Sequence, residues 1–399
     1  MAKTPADKKK SDAQAPLILS EELVCQGGQF RIGIMTLNSA KTMNAVDLAM
    51  VNQIDDVLAR WQNDDGVVAA VMRGAGDKAF SAGGDIRQLY YSMQAKGSEH
   101  LKYADAFFTA EYSKNYRVHQ FGKPLIAWGH GFVMGGGLGL FIGANHKVGT
   151  ETLRLAWPEI RIGLFPDVAG SYYLSRLPYP LGHWMALSGS QMNAVDCKQT
   201  GLINYCLSNE AFNSLIDELV KQPWQNNRAM NNQFVQKLLQ GFEQQDNTEF
   251  PASKLDSNME DIKKIFVNDE ANHTISLTDN KRVLTCIAQQ LSNSESSDPW
   301  FIQGKNNFLG GCPATAHIIM QQLQLGRHMT LKEVVMWELV VALQSVRQTD
   351  FAEGIRAMVV DKDGQPEWQH ESVENVPIAY VEGLQQAIWA EGNHPFLAL

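Results

Sequence analysis

Glycine dominates residues 129–140, GHGFVMGGGLGL, where four of the last six residues have no side chain. A second glycine pair occurs in AFSAGGDI, residues 79–86, again after an apolar stretch. Glycine loses more backbone freedom on folding than any other residue, so a dense run between apolar segments indicates that something approaches the backbone closely. Any fold of this chain must therefore bring these two segments against a ligand or a neighbouring element.

Apolar strand-like segments alternate with helix-like segments from about residue 18 onwards. The segments GVVAAVMRGA and PLIAWGH are apolar throughout, whereas DLAMVNQIDDVLARW repeats apolar residues at helical spacing. Strands without polar alternation are typical of parallel sheets that are covered on both faces. The sequence therefore predicts an α/β fold with largely parallel strands.

Helical periodicity replaces the strand-like runs after about residue 210. The clearest helices are PATAHIIMQQLQL and LKEVVMWELVVALQSVRQ. A chain of 399 residues is too long for one simple core, so we predict a core at 18–210 and a mainly helical region at 211–399. Residues 1–17 carry charge but no apolar run of a secretory signal, and we interpret them as a disordered tail, with a basic docking patch as the alternative.

Composition excludes several classes of function. The net charge of −9 disfavours a nucleic-acid partner, because a polyanion needs a basic surface. No apolar run approaches the roughly 20 residues that span a bilayer, so no membrane partner is expected. The five scattered cysteines and ten histidines show no metal-ligand spacing, which predicts no metal site, reduced thiols and a cytoplasmic protein.

The glycines do not match the familiar nucleotide or hydrolase motifs. No GxGxxG follows a strand, and Gly137 stands where a phosphate-binding loop needs lysine. Ala79 replaces the first glycine of a GxSxG nucleophile motif, which disfavours Ser81 as a nucleophile. A different use remains, since a glycine turn that opens a helix presents free backbone N–H groups. Two such turns facing each other would stabilise an oxyanion, whereas the alternative role of each is tight strand–helix packing.

Three segments taken together resemble the crotonase (enoyl-CoA hydratase/isomerase) superfamily: AFSAGGDIRQL, GHGFVMGGGLGL and LAWPEIRIGLFPDVAGSYYLSRL. The resemblance is nearest to the 3-hydroxyisobutyryl-CoA hydrolase branch, because IGLFPDVAGSYYLSRL and DFAEGIRAMVVDKDGQPEW are features of that branch. It covers about residues 20–370. It implies a spiral of ββα turns followed by a C-terminal helical region, an acyl-CoA substrate, and an oxyanion hole formed by the N–H groups of Gly84 and Gly136.

The residue at position 139 bears on the reaction that the resemblance implies. Hydratases of this superfamily use two glutamates, the first three residues after the oxyanion-hole glycine and the second on the following strand and turn. Here the first position is Gly139, and the second is Glu159. The loss of one acid–base group lowers a reaction rate by about 10²- to 10⁴-fold, so the addition of water to a double bond is disfavoured.

In the hydrolase branch, the residues matching Glu159 and Asp167 line the acyl end of the pocket together with Glu111. The resemblance implies that Gly84 and Gly136 polarise the thioester carbonyl. Glu159 would then either attack to form an anhydride or activate water, and the sequence leaves both routes open. Asp167 would orient the substrate hydroxyl or the water. The structural alternatives are a turn residue after proline for Asp167 and a solvated helix face for Glu111.

The resemblance thus implies hydrolysis of 3-hydroxyisobutyryl-CoA to 3-hydroxyisobutyrate and CoA, as in valine breakdown, with no cofactor beyond the CoA of the substrate. The alternatives are an enoyl-CoA hydratase or isomerase of the same superfamily, and a catalytically silent CoA-binding protein. Superfamily members often form trimers or hexamers through C-terminal helices, so a homo-oligomer is one expectation. The other expectation is that the longer helical region of this chain closes the site within one subunit.

Overall fold

The computed structural model describes residues 16–266, 277–390 and 392–399. Most of the tail predicted at 1–17 therefore lies outside the described residues. Within them the strands are, in chain order, β1 (Ile18–Val24), β2 (Arg31–Leu37), β3 (Val67–Gly74), β4 (Ala79–Ser81), β5 (Leu125–Gly129), β6 (Phe132–Met134), β7 (His146–Gly149), β8 (Arg154–Ala156) and β9 (Tyr205–Cys206).

Helices fill most of the remaining chain. The first eight are α1 (Leu48–Asn63), α2 (Ile86–Gln94), α3 (Lys102–His119), α4 (Gly135–Ile142), α5 (Gly170–Leu174), α6 (Leu181–Ser188), α7 (Ala194–Gln199) and α8 (Ala211–Leu219). They are followed by α9 (Arg228–Gln245), α10 (Lys254–Ile265), α11 (Leu277–Ser292), α12 (Pro299–Leu309), α13 (Pro313–Gly326), α14 (Leu331–Ser345), α15 (Thr349–Ile355) and α16 (Ile378–Gly383). Short 3-10 turns lie at Ala40–Thr42, Gly97–Glu99 and Glu159–Ile162, and a π-helical turn lies at Arg356–Val360.

Two sheets run side by side through the core. The larger sheet has the order β1-β2-β3-β5-β7-β9, and the smaller has the order β4-β6-β8. Among the strand pairs of the described residues, β1–β2 is antiparallel and the others are parallel. The pairs β3/β4, β5/β6 and β7/β8 each give one strand to each sheet, which is a spiral of ββα turns. The predicted fold class is confirmed.

Helices cover both faces of the larger sheet, as the continuous apolar strands predict. On one face, Leu215 of α8 and Val235 and Leu239 of α9 pack against Ile34 and Val71. The other face carries the main core, which includes α1 and α3. Because α8 and α9 complete the core of the sheet, helices beyond residue 210 are part of its packing. The predicted boundary at residue 210 remains a prediction.

The C-terminal helices pack on α2, α3 and α5 and on the turn that follows β8. Helix α14 lies against α3 and α5, and α15 lies against the 3-10 turn Glu159–Ile162. The approach is close, since a Cβ atom built on Gly163 would lie 2.6 Å from the Asp350 O atom. The helical region therefore covers the edge of the smaller sheet from within the same chain. Among the described residues, no helix is long and apolar enough to cross a bilayer.

Candidate active site

Both glycine turns lie at one edge of the smaller sheet. Strands β4, β6 and β8 are parallel neighbours, so their carboxyl ends meet at the same edge. Residues 83–84 follow β4, residues 135–136 follow β6, and Glu159 follows β8. A Cβ atom built on Gly136 would lie 3.4 Å from the Gly84 N atom. The two turns predicted from the sequence therefore face each other directly.

One backbone N–H group of each turn, that of Gly84 and that of Gly136, has no acceptor among the described residues. Gly136 is the second residue of α4, so its N–H group has no intrahelical acceptor. Among the described residues, no acceptor is found for the Gly84 N–H group. The turns are tight, because Gly83 has a φ of 115° and Gly135 a φ of 47°, which are values that glycine adopts without strain. This geometry can donate two hydrogen bonds to one oxygen atom.

Three carboxyl groups line the same cavity as the two turns. The cavity has a volume of about 250 Å³, and Gly84, Glu111, Gly136, Glu159 and Asp167 all line it. Glu111 is 2 % exposed, and Glu159 and Asp167 are each 4 % exposed. The structure thus brings together every site residue that the sequence predicts.

The three carboxyl groups reach the cavity from different elements. Glu111 projects from α3, and a Cβ atom built on Gly136 would overlap the Glu111 Oε1 atom. Glu159 begins the 3-10 turn after β8, and a Cβ atom built on Gly135 would lie 3.5 Å from the Glu159 Oε1 atom. The second oxygen of Glu159, Oε2, is buried with no hydrogen-bond partner in the described part of the chain. This oxygen is available to a substrate or a water molecule.

Burial controls the protonation of these carboxyl groups. It raises the pKa of Glu159 well above the usual range, and the neighbouring Asp167 and Glu111 carboxyls raise it further. Burial also raises the pKa of Asp167, against the effect of the hydrogen bond from Tyr112. The pKa of Glu111 is raised by burial and lowered in part by Lys114. A carboxylate with a raised pKa is a stronger base than a solvated one, and it must be deprotonated before it can accept a proton or attack.

Sequence reasoning missed three polar residues of α3 behind the cavity. The Tyr112 OH group donates to Asp167 Oδ2 at 2.6 Å. Lys114 is fully buried, its Nζ atom has no hydrogen-bond partner among the described residues, and burial lowers its pKa. Asn115 is also buried, beside α4. Glu111, Lys114 and Asn115 follow i, i+3, i+4 spacing within an otherwise apolar helix face, and this signal could have revealed Lys114 and Asn115.

A fourth residue that sequence reasoning missed is Glu338 of α14. It is fully buried, and its carboxylate accepts hydrogen bonds from the N–H groups of Ala169 and Ser171, just after Asp167. Its signal in the sequence is a single acidic residue inside the apolar run VVMWELVVAL. A buried carboxylate in such a run requires partners from elsewhere in the fold.

The remaining glycines of the run have a packing role. A Cβ atom built on Gly137 would lie 2.8 Å from the Ser81 O atom, and one built on Gly139 would lie 2.8 Å from Val168 Cβ. The Cβ atom built on Gly139 would also overlap the side-chain amide of Asn115. The packing use considered from the sequence is therefore seen at Gly137 and Gly139, while the oxyanion use of Gly84 and Gly136 stays a prediction. Residues 83–84 and 135–136 form the cavity wall, whereas Gly137 and Gly139 allow α4 to pack closely.

We expect Gly139→Ala to destabilise the protein by about 1–3 kcal/mol, because the added methyl group overpacks a fixed contact with Asn115 and Val168. The matched control is Gly241→Ala in α9, where nothing lies within 4 Å of an added Cβ atom. There we expect a gain of about 0.5–1 kcal/mol from the better helix propensity of alanine. Urea unfolding of both variants measures the difference, and an unchanged stability of Gly139→Ala would contradict the packing role.

Comparison with known proteins identifies the family. The chain matches the model of the enoyl-CoA hydratase/isomerase family over residues 32–384. The chain belongs to this family. A curated relative, the mitochondrial 3-hydroxyisobutyryl-CoA hydrolase of Homo sapiens, is 34% identical over 346 residues, covering 86% of this chain and 83% of the relative. The Gallus gallus protein of the same name is 31% identical over 376 residues, covering 94% and 89%.

Solved structures of the family share the fold over nearly the whole chain. An enoyl-CoA hydratase from Rhodobacter sphaeroides 2.4.1 has a TM-score of 0.76 and 27% identity, and covers 94% of this chain and 98% of its own. A carnitinyl-CoA dehydratase from Mycobacterium thermoresistibile has a TM-score of 0.77 and 26% identity, covering 95% and 99%. The crotonase family that the sequence resembles is therefore confirmed, while the role of each site residue stays a prediction.

Proposed function

We propose that this chain hydrolyses the thioester of 3-hydroxyisobutyryl-CoA, giving 3-hydroxyisobutyrate and free CoA, a reaction of valine catabolism. The observation that carries the proposal is the meeting of the Gly84 and Gly136 amides and the buried Glu159 at a single cavity, with no carboxylate at residue 139. The names of the curated relatives support the same substrate. Proteins that add water to a double bond are also similar to this chain, so hydration is the reaction to be excluded.

In the proposed reaction the thioester carbonyl oxygen accepts hydrogen bonds from the Gly84 and Gly136 N–H groups. These donors stabilise the negative charge that develops on the oxygen, and removal of one such donor typically costs about 10²- to 10³-fold in kcat. Because both donors belong to tight turns, they need no rearrangement when the charge appears. The fixed amides thus lower the barrier for either route of acyl transfer.

Glu159 can drive the transfer of the acyl group to water by two routes. In the first, its carboxylate attacks the carbonyl carbon, the C–S bond breaks and CoA leaves as a thiolate. Water then hydrolyses the resulting anhydride, which restores the Glu159 carboxylate and releases 3-hydroxyisobutyrate and two protons, and the thiolate takes up one of these protons from the solvent. In the second, Glu159 takes a proton from water, the hydroxide attacks, the C–S bond breaks, and the proton passes to the CoA sulfur. The unpartnered Oε2 atom serves either route. No cofactor beyond the CoA of the substrate takes part.

The acyl group would occupy the buried end of the cavity. A volume of about 250 Å³ lies below the roughly 300–1,000 Å³ of pockets for drug-sized ligands, which suits a short acyl chain and leaves the CoA nucleotide outside. Phe107, Phe108 and Phe351 supply apolar contacts for the branched carbon atoms. We assign to Asp167 the binding of the 3-hydroxyl group or the attacking water, and Glu111 lies beside Gly136.

The deciding experiment measures thiol release from 3-hydroxyisobutyryl-CoA and hydration of crotonyl-CoA by the purified protein. We expect CoA thiol from the first substrate and no loss of enoyl absorbance with the second. The protein has five free cysteines, so a blank without substrate is subtracted. Hydration of crotonyl-CoA without thiol release would establish the hydratase alternative. An absence of both reactions, with CoA still bound, would favour the silent CoA-binding protein.

The pH dependence of kcat/KM tests the electrostatics of Glu159. The working group must be deprotonated, and burial together with Asp167 raises its pKa, so we expect activity to rise with pH along a limb above the ordinary glutamate pKa of about 4.3. Asp167→Asn removes a negative neighbour and should move this limb to lower pH, although the rate falls. This assignment would be contradicted if the limb lay at the ordinary glutamate pKa, or if it moved to higher pH in Asp167→Asn.

The compartment and assembly of the protein remain predictions. The sequence predicts a cytoplasmic protein, whereas the curated relatives carry the word mitochondrial in their names. The C-terminal helices cover the cavity from the same chain, since Phe351 and Met358 line it. This arrangement supports closure of the site within one subunit, and a homo-oligomer would then be unnecessary for catalysis.

A further inference from the structure

The backbone after Asp167 adopts a conformation that its sequence does not favour. Val168 has a φ of 52° and Ala169 a φ of 70°, so two successive residues with side chains lie in the left-handed region. This conformation is unfavourable for L-residues and especially for a β-branched one. Such a strained turn persists only where the surrounding structure holds it in place.

Glu338 holds this turn from α14, 169 residues further along the chain. Its Oε2 atom accepts the Ala169 N–H group at 2.8 Å, and its Oε1 atom accepts the Ser171 N–H group at 3.0 Å. Burial raises the pKa of Glu338 to about 8, and the hydrogen bonds from these residues act in the opposite direction by stabilising the carboxylate. The side chain thus spans the strained turn with two parallel hydrogen bonds.

The same turn is tied to the Asp167 side of the cavity. The Gly170 N–H group donates to the Asp167 O atom at 2.8 Å, and the Tyr112 OH group donates to the Asp167 carboxylate. Val168 fills the space beside Asn115 and α4. A shift of the turn therefore moves the Asp167 carboxylate relative to Glu159, although Glu338 itself does not line the cavity.

We propose that Glu338 is a positioning residue for the hydrolase, which acts on the reaction by fixing the turn 167–171 and thereby the Asp167 carboxylate. The inference rests on the proposed function. The expected loss of rate follows from catalytic geometry, because a displacement of about 1 Å in a catalytic group can lower the rate by about 10²-fold. Loss of the two acceptors should therefore lower kcat on 3-hydroxyisobutyryl-CoA by about 10²-fold while the affinity for free CoA stays nearly unchanged.

The test uses Glu338→Ala and Glu338→Gln in the full chain. Glutamine keeps one acceptor oxygen and the shape of the side chain, so we expect it to recover part of the kcat lost in the alanine variant. Val340→Ala is the matched control, since it truncates a buried side chain of α14 about 200° further around the helix. The control should lose stability and keep kcat per folded molecule. Thermal unfolding and CoA titration report the folded fraction of each variant.

A double-mutant cycle with Asp167→Asn separates positioning from general damage. If Glu338 acts through Asp167, Glu338→Gln should lower kcat far less in the Asp167→Asn background than in the original protein. An equal fold-change in both backgrounds, or a kcat of Glu338→Gln no lower than that of Val340→Ala, would overturn the inference. Either result would leave the proposed function intact. The proposed function itself fails only if the unmutated protein releases no thiol from 3-hydroxyisobutyryl-CoA.

Discussion

Replacement of Glu159 by glutamine is expected to lower kcat for thiol release by about 10²- to 10⁴-fold, with CoA affinity nearly unchanged. The substitution removes the negative charge and the basic oxygen but keeps the shape of a buried side chain whose Oε2 atom has no partner in the described structure. It also relieves the burial of a carboxyl group with a strongly raised pKa, so stability should not fall. Steady-state thiol release and CoA titration measure the two effects.

The control for this variant is Glu382→Gln, the same chemical change at an exposed position of α16. Its kcat and CoA affinity should equal those of the unmutated protein. Comparable turnover in Glu159→Gln would remove Glu159 from the mechanism under either route. A burst of one equivalent of thiol per active site in the unmutated protein, followed by slower turnover, would distinguish the anhydride route from activation of water.

Gly136→Ala is expected to lower kcat by about 10²- to 10³-fold with only a small loss of stability. The added Cβ atom would overlap the Glu111 Oε1 atom and stand 3.4 Å from the Gly84 N atom, beside the two amides that we propose bind the substrate oxygen. The Glu111 carboxylate can rotate away, so the protein still folds. The oxyanion site is then occupied by a methyl group, and the displaced carboxylate adds negative charge beside it.

Gly304→Ala provides the control for steric strain away from the cavity. Its added Cβ atom would meet the Ser190 Oγ and Trp184 side-chain atoms at 2.6 Å, where α12 packs against α6. We expect this variant to lose stability and to keep kcat per folded molecule, the reverse of Gly136→Ala. Thermal unfolding and thiol release separate the two patterns. Full activity in Gly136→Ala would show that the carbonyl oxygen binds elsewhere.

The alternation of strands and helices and the location of the site were predictable because their signals are local. A parallel strand buried on both faces, such as β3 or β5, is recognisable from its own residues, and each glycine turn lies one short strand further along the chain. The three turns after β4, β6 and β8 then meet because the spiral repeats one connection. Gly84, Gly136 and Glu159 could therefore be named from spacing and resemblance.

The sequence by itself thus determined the strand–turn–helix units, the two glycine turns and the acidic residues that follow them. Only the tertiary structure decided that Gly139 has no room for a side chain, because Asn115 and Val168 occupy that space. It also decided that Glu338 supports the turn after Asp167. The physical reason is that these contacts depend on how α3, α4 and α14 pack against each other, and no local pattern of residues encodes the distance between helices so far apart in the chain.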